Sequence, residues 1–596
     1  MLRFPVALCL FLRPRSVSAD PQTQQSILPV PPARPISGAA SEIGSDWTAK
    51  PGSGGTANLI FSSVSGLLKH WPSTVFQNGH TIVPGTVAPG ALLYHGSIRN
   101  LTGSLPTEPS WVSFDPEHSY LFSSRVYTLQ VMRPIKVLYF DGSSASNMPI
   151  GTIDTQEILL HGELRRGDWV RESIRIRELC EWGKEFGLEG YLRMEYDFEI
   201  MLCDPSAGTE VVSTLDLMPA YRVEPRPPRR SPPSGKKQSD PFRQATSHDA
   251  SNIPQNASAE VDQASASQPN PSLMPPKRWP RTRLPSPIPP KAWVGSLRPS
   301  TMVAFDVIQA GNWHDLPGLT TVVNLDYTRL ITFFDPKYTS LVKARRTQTR
   351  SSFRAGNITM QEAEVARAEI KGVLETWDGS NERTQYRVSW PGIIQTIKER
   401  YTGRLDYLSV LLGDVIEGSS GESHANVTAG IQWARWHVLT MLTPYLPAAA
   451  TPPVRHQSQP IDAEWLAPTM GYCSTVFTAR INLSNASASE RLLKNAVEGV
   501  TREICRTLGV IWLDAFDVET RSQPEQKLLL DEWLGDVGAL KEWLGWIEWS
   551  DAAKCNPVCG PHEICTLPQW PFDMDWFGKG EGIGIPYCLS RWWGIE

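Results

Sequence analysis

Apolar and polar positions change period along the chain, from short runs and alternation in the first part to helical spacing in the second. Ile135 to Phe140 form an apolar-rich run that stops at Asp141-Gly142, the pattern of a buried strand ending in a turn. Residues 188–204 alternate aromatic or aliphatic with polar side chains and predict further strand, with Glu195, Asp197 and Glu199 on one face as a solvated edge would have them. Between these, residues 170–187 place Ile174, Leu179, Trp182 and Phe186 near helical spacing and close at Gly187. Strand, helix, strand is the local order, and it predicts an α+β domain over 46–223.

From about residue 300 the spacing is helical. Thr359 and Glu362 stand in capping-box spacing ahead of the stripe Ala363, Ala366, Ile370, Val373 and Trp377. A second stripe runs Ile393, Ile397, Tyr401, Leu405 and Leu408. A third helix opens at Ser487 with Glu490 three residues on and is expected to end at Gly509. A fourth has Pro524 just inside its start and stacks Leu530, Trp533, Val537, Leu540 and Leu544. The expectation is a mainly α-helical domain over 300–550, its tryptophans serving the core.

Between the two lies 224–299, rich in proline and basic residues and poor in apolar ones, which predicts a disordered linker. Its pairs Arg229-Arg230, Lys236-Lys237 and Lys277-Arg278 are open to processing proteases if exposed. The start of the chain adds a location. Arg3, the apolar run Phe4 to Leu12 and the small residues before Asp20 predict a signal peptide over 1–19, followed by a disordered leader over 20–45. Two arginines, Arg13 and Arg15, lie inside that segment. A secreted, extracellular, soluble protein is expected, with no membrane span.

Cysteine use points the same way. Cys180, Cys203, Cys473, Cys505, Cys555, Cys559, Cys565 and Cys588 remain after the leader. Eight is an even number, and a Cys180 to Cys203 bridge would tie the predicted helix to the strand after it. The tail, 551–596, holds four of them in a Pro- and Gly-rich segment. Cys555, Cys559 and Cys565 with His562 have the ingredients of a zinc site, yet an oxidising compartment favours two disulfide staples, and no metal is expected. Six sequons, at Asn100, Asn256, Asn357, Asn426, Asn482 and Asn485, are compatible with a glycoprotein. A net charge of -5 over 596 residues argues against nucleic acid as the main partner.

Candidate chemistry begins at the end of the short run Ala91 to Tyr94, where His95, Gly96 and Ser97 follow directly. Three later stretches arrive in a suggestive order: residues 110–124, with Trp111, Phe114 and Asp115-Pro116 heading a helix; residues 127–142; and residues 196–205, which carry Glu199. This set, from Leu92 to Asp204, resembles the ADP-ribosyltransferase superfamily in its histidine, aromatic, glutamate branch. The resemblance implies a mixed-sheet fold and NAD as a substrate. It implies that His95 binds a ribose, that Gly96 and Ser97 meet the nicotinamide amide, and that Glu199 stabilises positive charge as the glycosidic bond breaks. ADP-ribose would then pass to a protein acceptor or to water. Where the family carries a stacking tyrosine this chain has Trp111 or Phe114, and a one-residue slip sends either ring to the wrong side of the sheet.

The chain as a whole resembles secreted proteins of filamentous fungi. Two readings follow from the sequence: an ADP-ribosyltransferase or NAD glycohydrolase acting as a secreted effector or toxin, and a non-catalytic secreted binding or structural protein on the same scaffold.

Overall fold

The computed structural model describes residues 47–50, 55–97, 105–120, 125–165, 171–216, 303–316, 319–379, 388–419, 426–446, 464–516, 518–570 and 585–591. The segments expected to be a signal peptide (1–19), a leader (20–45) and a linker (224–299, with its dibasic pairs and the sequon Asn256) lie outside these residues, as does the sequon Asn100.

A mixed, curled sheet forms the centre, and the later part of the chain is mostly helical. The strands are β1 (Thr81–Val87), β2 (Leu92–Gly96), β3 (Ser110–Ser113), β4 (Arg125–Val131), β5 (Ile135–Phe140), β6 (Gly190–Met194), β7 (Phe198–Leu202), β8 (Thr209–Asp216), β9 (Val323–Leu325) and β10 (Ile331–Thr332). They lie in the order β10-β1-β5-β6-β7-β3-β2-β4-β8, with β9 also on β1. Among the described pairings β5–β6 is parallel and the others antiparallel. Gly142 ends β5 at φ 69, and a Cβ there would stand 2.5 Å from the Gln77 carbonyl oxygen, so the turn demands glycine.

Residues 188–204 are a hairpin, β6 and β7, in the middle of the sheet. Every residue of both strands is buried. Glu199 on β7, and Glu195 and Asp197 in the turn between the strands, are all buried, which corrects the expectation of a solvated edge. The helix expected over 170–187 is α5 (Glu172–Gly183) with a 3₁₀ turn to Phe186. Its buried positions are Arg175, Ile176, Leu179 and Cys180, whereas Ile174 faces out.

Two helical layers cover the sheet. On one face lie α1 (Ala57–Gly66) and the long helices α9 (Trp390–Gly418), α10 (Val427–Leu442), α12 (Ala488–Asp514) and α13 (Gln523–Leu544). That face buries Leu93, Val112, Tyr127, Leu192 and Ile200 from the sheet in one core with Ile397, Val500 and Trp533. The other face packs Leu138, Tyr191 and Met201 against α4 (Asp154–His161), α5, α7 (Thr339–Arg345) and α8 (Met360–Glu375). Both cores draw on both halves of the chain, and β9 and β10, from the region expected to be a separate helical domain, complete the sheet beside β1. The boundary expected at 224–299 does not divide the described structure.

Caps and stripes follow the sequence closely. Ser487 and Glu490 form a full capping box on α12. Thr359 accepts from the Glu362 amide, while the Glu362 carboxylate turns instead to Thr339 and Ser340. Helix α12 does not stop at Gly509 but runs on to Asp514. Gly509 serves close packing there, since a Cβ would stand 2.6 Å from Met470 Sδ and 2.9 Å from Trp47 Cζ3.

The eight cysteines form four disulfides: Cys180–Cys203, Cys473–Cys505, Cys555–Cys565 and Cys559–Cys588. The first joins α5 to the end of β7. The last two staple the tail, where β11 (Glu563–Thr566) pairs with β12 (Tyr587–Ser590). Among the described residues no helix is long and apolar enough to cross a membrane.

Candidate functional site

Strand register decides what the expected site residues can do together. Tyr94 on β2 lies opposite Ser113 on β3, and Ser113 lies opposite Glu199 on β7. Residues paired across a sheet share a face and neighbours along a strand do not. Tyr94, Ser113 and Glu199 therefore point to one side, and His95 points to the other, opposite Tyr127 of β4. His95 and Glu199, expected to converge, are separated by the sheet itself.

The other members of that set divide in the same way. His95 donates from Nδ1 to the Trp111 carbonyl at 2.7 Å, and burial lowers its pKa. Gly96 and Ser97 continue the ladder with β4, the Ser97 amide donating to the Arg125 carbonyl at 3.1 Å. Trp111 pairs with Met201 and lies on the Glu199 side, 37% exposed. Phe114 is buried in the core of the opposite side. Neither ring stands between His95 and Glu199.

Glu199 is held instead in a buried ionic network. Its Oε1 accepts from Arg193 Nη2 at 2.8 Å, and the same nitrogen lies 2.6 Å from Glu172 Oε1. Arg193 also donates to Gln156 at 3.2 Å, while Arg175 pairs with Glu172, donates to Asn147 at 2.6 Å and sits 3.6 Å from Glu157. Burial pushes Glu199 up to about 7 against the pull of Arg193. Next to it His118 and Glu195 form a pair at 2.7 Å. Burial opposes charge on His118, but the hydrogen bond and charge of Glu195 outweigh it and raise the imidazole to about 9. The tail closes over this pair, with Gln569 donating to the Glu195 carbonyl and to Ser146.

A second buried cluster adjoins the first at the β6–β7 turn. Asp115, expected to cap the helix α3 (Pro116–Tyr120), spends its carboxylate elsewhere: Oδ1 accepts from Trp313 Nε1 at 2.7 Å and Oδ2 lies 2.6 Å from His314 Nε2. Asp197 Oδ1 accepts from the Phe198 amide at 2.7 Å and stands 3.2 Å from the same imidazole nitrogen. Burial raises Asp197 to about 7 against the attraction of His314, and both aspartates raise His314 to about 9 against its burial. His314 arrives from the 3₁₀ turn Asn312–Asp315 after α6 (Val303–Gly311), far along the chain.

In all, six carboxyl groups (Asp115, Glu157, Glu172, Glu195, Asp197, Glu199) share this interior with two guanidinium groups and two imidazoles. Two sets have donor atoms close enough together to hold a metal ion: Asp115, Asp197 and His314, and His118, Glu195 and Glu199. Cys555, Cys559 and Cys565 also lie close but are consumed in disulfides. Sequence reasoning missed His118, Arg193 and His314. The signal available was a run of three alternating acids inside an otherwise apolar stretch, which asks for buried cations.

The model of the family described as the YPL277C N-terminal domain matches residues 123–231, a stretch that carries β4 to β8 with Arg193, Glu195, Asp197 and Glu199. Two proteins of Saccharomyces cerevisiae are similar to this chain. Uncharacterized protein YOR389W is 28% identical over 218 residues, covering 27% of this chain and 34% of the relative. Uncharacterized protein YPL277C is 28% identical over 219 residues, covering 27% of this chain and 43% of the relative. The chain thus spans less than half the length of these relatives. No solved structure matches it.

Proposed function

We propose that this chain is a secreted, non-catalytic binding or structural protein, and that it does not cleave NAD. The observation that carries this reading is the register through Tyr94, Ser113 and Glu199, which puts His95 on the far side of the sheet. A carboxylate that stabilises a developing oxocarbenium ion must face the ligand. Glu199 is 3% exposed and bonded to Arg193.

An apolar surface is available to a partner elsewhere. Tyr407 and Val410 on α9, and Trp433 and Trp436 on α10, are each spaced one helical turn apart and more than half exposed, the tryptophans at 67% and 66%. The Tyr407 ring lies 4.7 Å from that of His437 on α10, so the exposed flanks of the two helices adjoin. Large apolar side chains grouped on a surface commonly mark contact sites.

The test is nicotinamide release from NAD by the purified protein, beside Glu199→Gln. Release at the buffer rate from both proteins is expected. Release by the native protein that disappears in the variant would overturn the proposal and return the ADP-ribosyltransferase reading, with ADP-ribose passing to a protein or to water.

A further inference from the structure

We propose that Asp115, Asp197 and His314 form a binding site for one divalent metal ion of the zinc or manganese class. Three separate parts of the chain bring these side chains to one point: the β3–α3 junction, the β6–β7 turn and the turn after α6. All three residues are buried. His314 Nε2 lies 2.6 Å from Asp115 Oδ2 and 3.2 Å from Asp197 Oδ1. A tetrahedral ion with bonds of about 2.1 Å separates its ligands by roughly 3.4 Å, so small outward shifts would seat one.

Hydrogen bonding within the site is incomplete. One imidazole N–H faces two carboxylates, and Asp197 Oδ2 has no partner although Asp197 is 0% exposed. An orphaned buried acceptor is costly, and a divalent ion that displaces the His314 Nε2 proton would offer both carboxylates a stronger partner. The outer bonds are already in place: Trp313 Nε1–H on Asp115 Oδ1 and the Phe198 amide on Asp197 Oδ1 fix both carboxylates, as partners of metal ligands do.

Donor chemistry selects the ion. One imidazole with two carboxylates and no thiolate suits zinc or manganese, whereas calcium prefers six or more oxygens. The neighbouring set of His118, Glu195 and Glu199 is a poorer site, because the Arg193 guanidinium 2.8 Å from Glu199 repels a second cation there. The site does not depend on whether the protein is an enzyme.

The test uses the full chain, stripped with a chelator and titrated with Co²⁺ and then Zn²⁺. Expected are one equivalent of bound metal, visible Co²⁺ absorption displaced by zinc, and a raised unfolding temperature on adding zinc. Asp197→Asn and His314→Gln should each weaken binding by more than the roughly 10- to 100-fold that loss of an outer hydrogen-bond partner costs, while Glu195→Gln leaves it unchanged. The native titration stands whether or not the variants fold. Absence of stoichiometric binding to the native chain overturns the proposal, as does binding that survives Asp197→Asn but is lost in Glu195→Gln.

Discussion

Replacing Arg193 by methionine removes a wholly buried guanidinium that lies 2.8 Å from Glu199 and 2.6 Å from Glu172. At an effective dielectric of about 20, each contact carries roughly 6 kcal/mol of Coulomb attraction before desolvation is counted. Much of that attraction only offsets the cost of burying the charges. Breaking one partner out of a buried group leaves the others uncompensated, with a net loss of about 3–5 kcal/mol. Glu172 keeps Arg175, so the loss centres on Glu199. Urea unfolding at pH 8 should show this loss in Arg193→Met. At pH 5 the loss should shrink, because the Glu199 carboxyl, already raised to about 7 by burial, takes up a proton and no longer needs the cation. Adding Glu199→Gln to Arg193→Met should restore much of the stability, since a neutral amide of similar shape needs no counter-ion, while Glu172 stays paired with Arg175. A loss below about 1 kcal/mol at pH 8, or one that does not change with pH, would refute the network as described.

Four further outcomes are expected. His118 has its folded pKa raised to about 9, against an ordinary 6.5, so its contribution is whole below pH 6.5 and lost as pH rises through 9; His118→Gln should flatten the fall in melting temperature over that window. Gly509→Ala puts a Cβ against Met470 and Trp47 and should destabilise by about 1–3 kcal/mol in thermal unfolding, despite alanine's higher helix propensity. Removing the α5–β7 staple with Cys180→Ser and Cys203→Ser should cost about 2–4 kcal/mol, read by urea unfolding. Trp433→Ala with Trp436→Ala should change stability by no more than about 0.5 kcal/mol, which separates their exposed role from that of core tryptophans such as Trp533.

Helices were the most legible part of the sequence. The stripe Leu530, Trp533, Val537, Leu540 and Leu544 shows a helical face without reference to what it packs on, and all five are buried. The capping box at Ser487 and Glu490 involves residues three apart and needs no tertiary partner. Gly509 misled because the residue that ends a helix is also the one that lets two chains approach, and sequence does not tell these uses apart. The candidate site was less legible. His95 and Glu199 were each placed near a strand end, but the side each would face depends on pairing between strands distant in sequence, where one residue of register reverses the answer.

Local order alone determined the long helices, the central strand runs, the capping box at Ser487 and the even set of cysteines, because periodicity, capping and disulfide-forming chemistry act over short spans or through residue type. Tertiary structure alone decided that the two halves share cores, that β6 and β7 lie at the centre of the sheet, and that His314 meets Asp115 and Asp197. The physical reason is the low dielectric of the interior. A run of alternating acids reads as a solvated face until its partners, Arg193 across the hairpin and His118 and His314 from distant segments, make its burial tolerable.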